Sequence, residues 1–176
     1  MLLFTLKKIG IQGFRGFTKL QEISFGAPLT LIHGRNRQGK SSVVNAIEWC
    51  LFGSEVAAMK YGDIRERDAW EVKNAVSPAC YVECVFLSGD GKILTVKRTY
   101  KISRTSELSH RIDNGPNSTD EKQLHALLRI SATDFLSSVH LHPEIIRTLI
   151  IAKPKDRKEA EDWWPRSRTE AIRPAR

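Results

Sequence analysis

Thr30–Ser42 reads TLIHGRNRQGKSS. A short apolar run, Leu29 to His33, leads into a glycine, four further residues and then Gly39-Lys40-Ser41, and from Lys40 to Leu51 there is neither glycine nor proline. The run predicts a buried strand and Gly34 to Gly39 a loop. The stretch to Leu51 predicts a helix, apolar on most of its surface (Val43, Val44, Ala46, Ile47, Trp49, Cys50) and ended at Phe52-Gly53-Ser54. A strand, a tight glycine loop and a helix start, in that order, make an anion site. A bent loop aims several backbone N–H groups at one point. Glycine permits the bend and a close approach, and the helix adds unpaired N–H groups and the positive end of its dipole.

The fixed positions match the P-loop pattern, with Gly34, Arg35, Asn36, Arg37, Gln38, Gly39, Lys40 and Ser41 filling it and Ser42 following. In that pattern the loop holds the phosphates of ATP. Lys40 is the candidate catalytic residue, carrying a mobile charge to the β- and γ-phosphates, and the Ser41 hydroxyl is the candidate ligand to Mg2+. Arg37 stands where a small residue often sits. Phosphoryl transfer also needs a carboxylate for magnesium and a group to orient water. Such an Asp is expected at the end of another buried strand. Asp90 sits instead at a predicted hairpin tip, and Asp113 closes a short polar run, so neither fits.

The chain has 176 residues, a net charge of +8 and 41% hydrophobic residues, enough for one domain with a core and too little for two large ones. Charge or glycine interrupts the apolar runs, which argues against a transmembrane helix. Lys7 and Lys8 interrupt the N-terminal apolar residues, with no cleavage signal of a secreted protein. A cytoplasmic protein without membrane contact is expected. Cys50, Cys80 and Cys84 have no partners at zinc spacing and predict small buried hydrophobes. The positive charge favours a polyanionic partner, nucleic acid first.

Along the rest of the chain, residues 3–12 and 19–25 predict strands around a turn-like Phe14-Arg15-Gly16-Phe17. Residues 55–77 predict surface loop. Tyr81–Leu87 and Ile93–Ile102 predict a hairpin about Ser88-Gly89-Asp90-Gly91, with a third strand over 107–112. Ser118 or Thr119 is expected to cap a helix over 122–130, and 133–151 reads as helical with Pro143 interrupting it. From Glu161 the composition changes to Trp-Trp-Pro and arginines without apolar periodicity, which predicts an irregular tail.

Two segments carry a family resemblance: IGIQGFRGF with ISFGAPLTLIHGRNRQGKSSVVNAIEWCLFG, and FLSSVHLHPEIIRTLIIAKPKDRKEA. Together they resemble the N-terminal half of the Rad50/SbcC/SMC-type ATPases, the coiled-coil branch of the ABC class, over about residues 3–160. The resemblance implies an α/β fold: a P-loop NTPase-type mixed sheet with an antiparallel β-hairpin region and helices, in residues 1–160, with 161–176 outside it. It implies ATP and Mg2+ as cofactors, phosphate binding by Gly34–Ser42, and Arg15 near the phosphates. It also implies a C-terminal lobe or a second head that supplies the signature motif and the catalytic carboxylates. DNA bound without sequence specificity, a nuclease subunit and a role in double-strand break repair or DNA-end processing belong to the same implication. The family's Q-loop glutamine would fall where Pro143 stands, with His140 and His142 beside it. The heptads that follow in the family do not follow Lys158-Glu159-Ala160 here, which the resemblance reads as a truncation before the coiled coil. A stand-alone, non-catalytic nucleotide- or DNA-binding module is the alternative. A small-metabolite kinase with Arg65 and Arg67 as its lid is a weaker one.

Overall fold

A computed structural model describes residues 4–53, 73–101, 105–135 and 139. The chain divides into two compact units, one ending at Arg129 and the other beginning at Ile130.

The first unit is built on a five-stranded sheet of order β2-β1-β3-β4-β5. Its strands are β1 (Phe4–Gln12), β2 (Gln21–Ser24), β3 (Cys80–Ser88), β4 (Ile93–Tyr100) and β5 (Ser106–Ile112), and every pairing is antiparallel. Period-2 alternation sends one set of side chains inward. Ile9 and Ile11 of β1, Cys80, Val82, Cys84 and Phe86 of β3, and Leu94 and Val96 of β4 are all buried. The register confirms this face, since Ile9 lies opposite Cys84, and Cys84 opposite Val96. The register between β1 and β3 shifts between Leu6 and Lys8, where β1 carries one extra residue. The β3–β4 hairpin turns where Ser88-Gly89-Asp90-Gly91 predicts it, with Gly91 N–H donating to Ser88 O at 3.0 Å.

Helix α1 (Lys40–Phe52) lies on the inward face and buries Val43, Ala46, Trp49, Cys50, Leu51 and Phe52. It carries no basic residue in its last turn, so other elements hold its C-terminal carbonyls. Arg98 of β4 donates from Nε to Cys50 O at 3.2 Å and from Nη1 to Glu121 Oε1 at 2.8 Å. Its guanidinium carries positive charge to the negative end of the helix dipole. His125 Nε2 lies 3.1 Å from Leu51 O, and the His125 ring packs on Phe52 at 5.1 Å between centroids. His125 and Glu121 belong to α2 (Glu121–Leu128). In the second unit, a single turn, α3 (Ala132–Asp134), begins with a capping box between Ser131 and Asp134.

Two expectations are corrected. Leu29–His33 is no strand: Leu29 is 87% and Leu31 81% exposed, and no described strand pairs with them. An apolar run becomes a buried strand only where a ladder partner and a covering layer exist, and β2 already occupies the free side of β1. Neither Ser118 nor Thr119 caps α2. Ser118 is engaged in a backbone bridge with His110, 2.8 Å in both directions. The cap falls to Asp120, whose Oδ1 accepts from the backbone of Lys122 at 2.9 Å and Gln123 at 3.3 Å. The expected helix to residue 151 beyond Phe135 (Val139 apart), the tail from 161, the residues around Pro143 and the Arg65/Arg67 pair lie outside the described residues. Among the described residues no helix is long and apolar enough to cross a membrane.

All three cysteines are free and buried. Burial pushes the Cys80 thiol up to about 11 from an ordinary 9.0. The Cys84 thiol is also raised, first by its hydrogen bond with Cys50 and then by burial. A raised acid holds its proton more tightly in the folded state. Its stabilisation is therefore complete below pH 9.0 and is lost as pH rises toward 11. Thermal midpoints measured from pH 8 to 10.5 are expected to fall, and to fall less in Cys80→Ala. An identical slope in the variant would remove Cys80 from the account.

Candidate functional site

The loop before α1 closes on itself. Arg35 N–H donates to Gln38 Oε1 at 2.8 Å, and Gln38 N–H to Arg35 O at 3.4 Å. Lys40 folds its ammonium back across the loop, donating to the carbonyls of Gly34 and Arg35 at 2.8 Å each. Gly39 is the N-cap of α1 with φ 85°, in the left-handed region that a side chain would strain. No side chain caps this end, and its first turn contains no acidic residue. The helix N-terminus is thus left to an external anion. Arg37 also takes a left-handed backbone, φ 68°. This explains why a small residue suits that position: for a side-chain-bearing residue the conformation costs about 1–2 kcal/mol.

Beside the loop lies a cavity of about 700 Å3 lined by Gly16, Phe17 and the run Asn36–Ser42. Of the residues predicted from sequence, Asn36, Arg37, Gln38, Gly39, Lys40, Ser41 and Ser42 therefore share one wall. Gly34 and Arg35 are not in that lining and meet Lys40 through their carbonyls. Arg15 is adjacent in sequence to the lining residue Gly16 but does not line the cavity itself. Its guanidinium lies over the Phe14 ring, 5.8 Å from the centroid, and its Nε is buried without a hydrogen-bond partner among the described residues.

Gly16 and Phe17 of the lining belong to the turn-like Phe14–Phe17 segment, in which sequence reading picked out Arg15 as the site residue. Gly13 N–H donates to Phe17 O at 2.6 Å and Phe17 N–H to Phe14 O at 2.9 Å. Asn74 pins the same turn from across the chain: its backbone N–H donates to Gly13 O at 2.7 Å and its Nδ2 to Arg15 O at 2.5 Å. Phe14 anchors the turn in the core against Trp49 of α1, with centroids 5.5 Å apart. The signal for Phe17 was its place in the two-aromatic insert. Asn74 gave none, because it reads as one more polar loop residue.

The carboxylates considered for magnesium are engaged elsewhere. Asp90 accepts from Ser88 Oγ in the hairpin turn, which holds its carboxyl below the ordinary range. Asp113 Oδ1 accepts from Ile93 N–H at 2.8 Å. Among the described residues no group of three His, Cys, Asp or Glu side chains is placed to hold a metal ion. Among the described residues the lining offers hydroxyls from Ser41 and Ser42 and no carboxylate.

A family model described as an AAA domain matches residues 8–174. The chain belongs to this AAA domain family. The AAA domain is 29% identical over 165 residues to the chromosome partition protein Smc of Halobacteriovorax marinus, covering 87% of this chain and 13% of that protein. It thus spans only a small part of the length of such a relative. Its fold matches a solved chain from work on ATP-driven dimerization and DNA-stimulated activation of SMC ATPases, with TM-score 0.64 and 21% identity, over 90% of this chain and 98% of that one. It also matches the recombination mediator RecF bound to ATP, with TM-score 0.54 and 23% identity, over 92% of this chain and 39% of that one. The AAA domain is accordingly similar in sequence to an SMC protein and shares its fold with solved SMC and RecF ATPase structures.

Proposed function

We propose that this chain is the ATP-binding half of a split ATPase head. One observation carries the reading: Lys40, Ser41 and an uncapped helix N-terminus line a single cavity of about 700 Å3, a size that suits a nucleotide-sized ligand. The loop N–H groups and Lys40 hold the phosphates, with Gly34 and Arg35 as the resting partners of the ammonium. Where Mg2+ accompanies the nucleotide, Ser41 is the residue to hold it, with phosphate oxygens and water completing the shell of a cation that sheds water reluctantly.

Hydrolysis then depends on groups brought by a C-terminal lobe or a second head, since among the described residues the lining carries no carboxylate to share the metal or orient water. The finer reading is a Rad50/SbcC-like role in double-strand break repair or DNA-end processing, with DNA held through its phosphates by the net charge of +8 and a nuclease subunit as a further partner.

The test is titration of the full chain with ATP, with and without Mg2+, alongside a turnover assay. Saturable binding with negligible turnover is expected. Turnover in the kinase range of about 1–100 s⁻¹ on a small acceptor, or no binding at millimolar ATP, would sink this reading.

A further inference from the structure

The loop between Gly34 and Gly39 carries a conflict. Residues 34–38 are exposed, so core packing does not fix them. Arg37 in their midst takes the left-handed backbone, φ 68°, which disfavours any residue with a side chain. The backbone closure across it is long: Gln38 N–H reaches Arg35 O at 3.4 Å. A strained conformation of this kind persists where its surroundings over-determine it.

The Gln38 side chain supplies a second and shorter tie. Its Oε1 accepts from Arg35 N–H at 2.8 Å, so Gln38 grips Arg35 through both its N–H and its carbonyl. The amide lies tight against Gly34, where an added Cβ would stand 2.7 Å from Oε1. The Lys40 ammonium rests on the carbonyls of Gly34 and Arg35 at 2.8 Å each. The segment that Gln38 fixes therefore also places the cation. A loop shaped before binding needs less ordering when a polyphosphate arrives.

We infer that Gln38 is a positioning residue, whose side-chain amide braces the loop in the shape that receives phosphate. The inference rests on the nucleotide reading above and goes beyond it, because it gives Gln38 a role within the loop and not on the ligand. An amide oxygen accepts and cannot donate, so Oε1 serves the loop N–H and not a phosphate oxygen. The loop is exposed and water competes for Arg35 N–H, so the brace contributes a modest factor in affinity. That factor applies equally to every ligand bound through its phosphates.

The experiment takes two readings on the full chain: amide hydrogen exchange at Arg35 without ligand, and affinity for ATP and for inorganic tripolyphosphate. Gln38→Met keeps the length of the side chain and removes its acceptor. It is expected to speed exchange at Arg35 N–H and to weaken both ligands about three- to ten-fold, with the thermal midpoint unchanged. Gln38→Ala should match it. Gly34→Ala should show the same loss by displacing the amide tip, and adding it to Gln38→Ala should cost no more than about two-fold further. Loss in Gln38→Ala but none in Gln38→Met would mean that bulk and not the acceptor matters. Additive losses would mean that Gly34 and Gln38 act apart, and unchanged exchange at Arg35 would mean that the tie does not form. Each of these overturns the brace while leaving the phosphate site standing. Failure of the unmodified chain to bind either ligand would overturn the nucleotide reading and this inference with it, whatever the exchange at Arg35.

Discussion

Lys40→Ala is expected to weaken ATP binding on the order of 100-fold while barely changing the thermal midpoint. Hydrogen bonds to a charged group contribute about 1.5–3 kcal/mol each. An ammonium that leaves two carbonyls to meet a triphosphate is in that range, and about 2.8 kcal/mol corresponds to a hundredfold change. The folded state loses little, because among the described residues Lys40 bonds the Gly34 and Arg35 carbonyls of an exposed loop. Water replaces those contacts at a cost of under about 1 kcal/mol. Calorimetric titration with ATP, paired with a melting curve, separates the two effects. Unchanged affinity would show that the loop is not where the nucleotide binds. An arginine at this position is no conservative replacement, since its planar fork cannot act as a compact point charge inside the loop.

Gly13→Ala is expected to destabilise the protein by about 3 kcal/mol. Gly13 has φ 64°, and a Cβ there would fall 1.7 Å from the Ala79 carbonyl oxygen and 2.8 Å from Ser77 Oγ. The first obstacle is backbone, which cannot rotate aside as a side-chain tip can. Left-handed strain adds about 1–2 kcal/mol, and overpacking about 1–3 kcal/mol. The change also reaches the cavity, because Gly13 N–H holds the O of the lining residue Phe17 at 2.6 Å. Gly16→Ala is the control: two of its near neighbours in sequence are Phe14 and Phe17, yet a Cβ there meets nothing within 4 Å. It should be nearly neutral. Urea midpoints at unchanged slope would measure both, and a neutral Gly13→Ala would show that the turn is not packed as described.

Much of the site could be read locally. The loop and α1 follow from a glycine pattern and a glycine-free apolar stretch that need no distant contact to be recognised. The β3–β4 hairpin follows from Asp90-Gly91 between alternating runs. Which alternate set of side chains those strands bury emerges only in the folded sheet, where Val82, Cys84, Leu94 and Val96 point to the core. The strand expected at Leu29–His33 failed for the complementary reason. Its composition suits a buried strand, but burial requires a neighbour, and no periodicity in five residues reveals whether one is present. The cap of α2 failed on competition: Ser118 has the chemistry to cap, but its backbone is already paired with His110, leaving Asp120.

By itself the sequence determined the elements whose signals lie within one turn or one strand: the glycine-bounded loop, the helix it opens, the hairpin and the basic character of the chain. Only the tertiary structure decided which residues meet across long separations. Asn74 grips a turn at Gly13 and Arg15. Arg98, 2% exposed, holds the end of α1. Phe17 lies against Gly39 of the loop. These contacts depend on chain closure over tens of residues, and their energy comes from burial and hydrogen bonding that exist only once the sheet has formed. A short stretch of sequence carries the shape of its own backbone, and its partners are set by the fold around it.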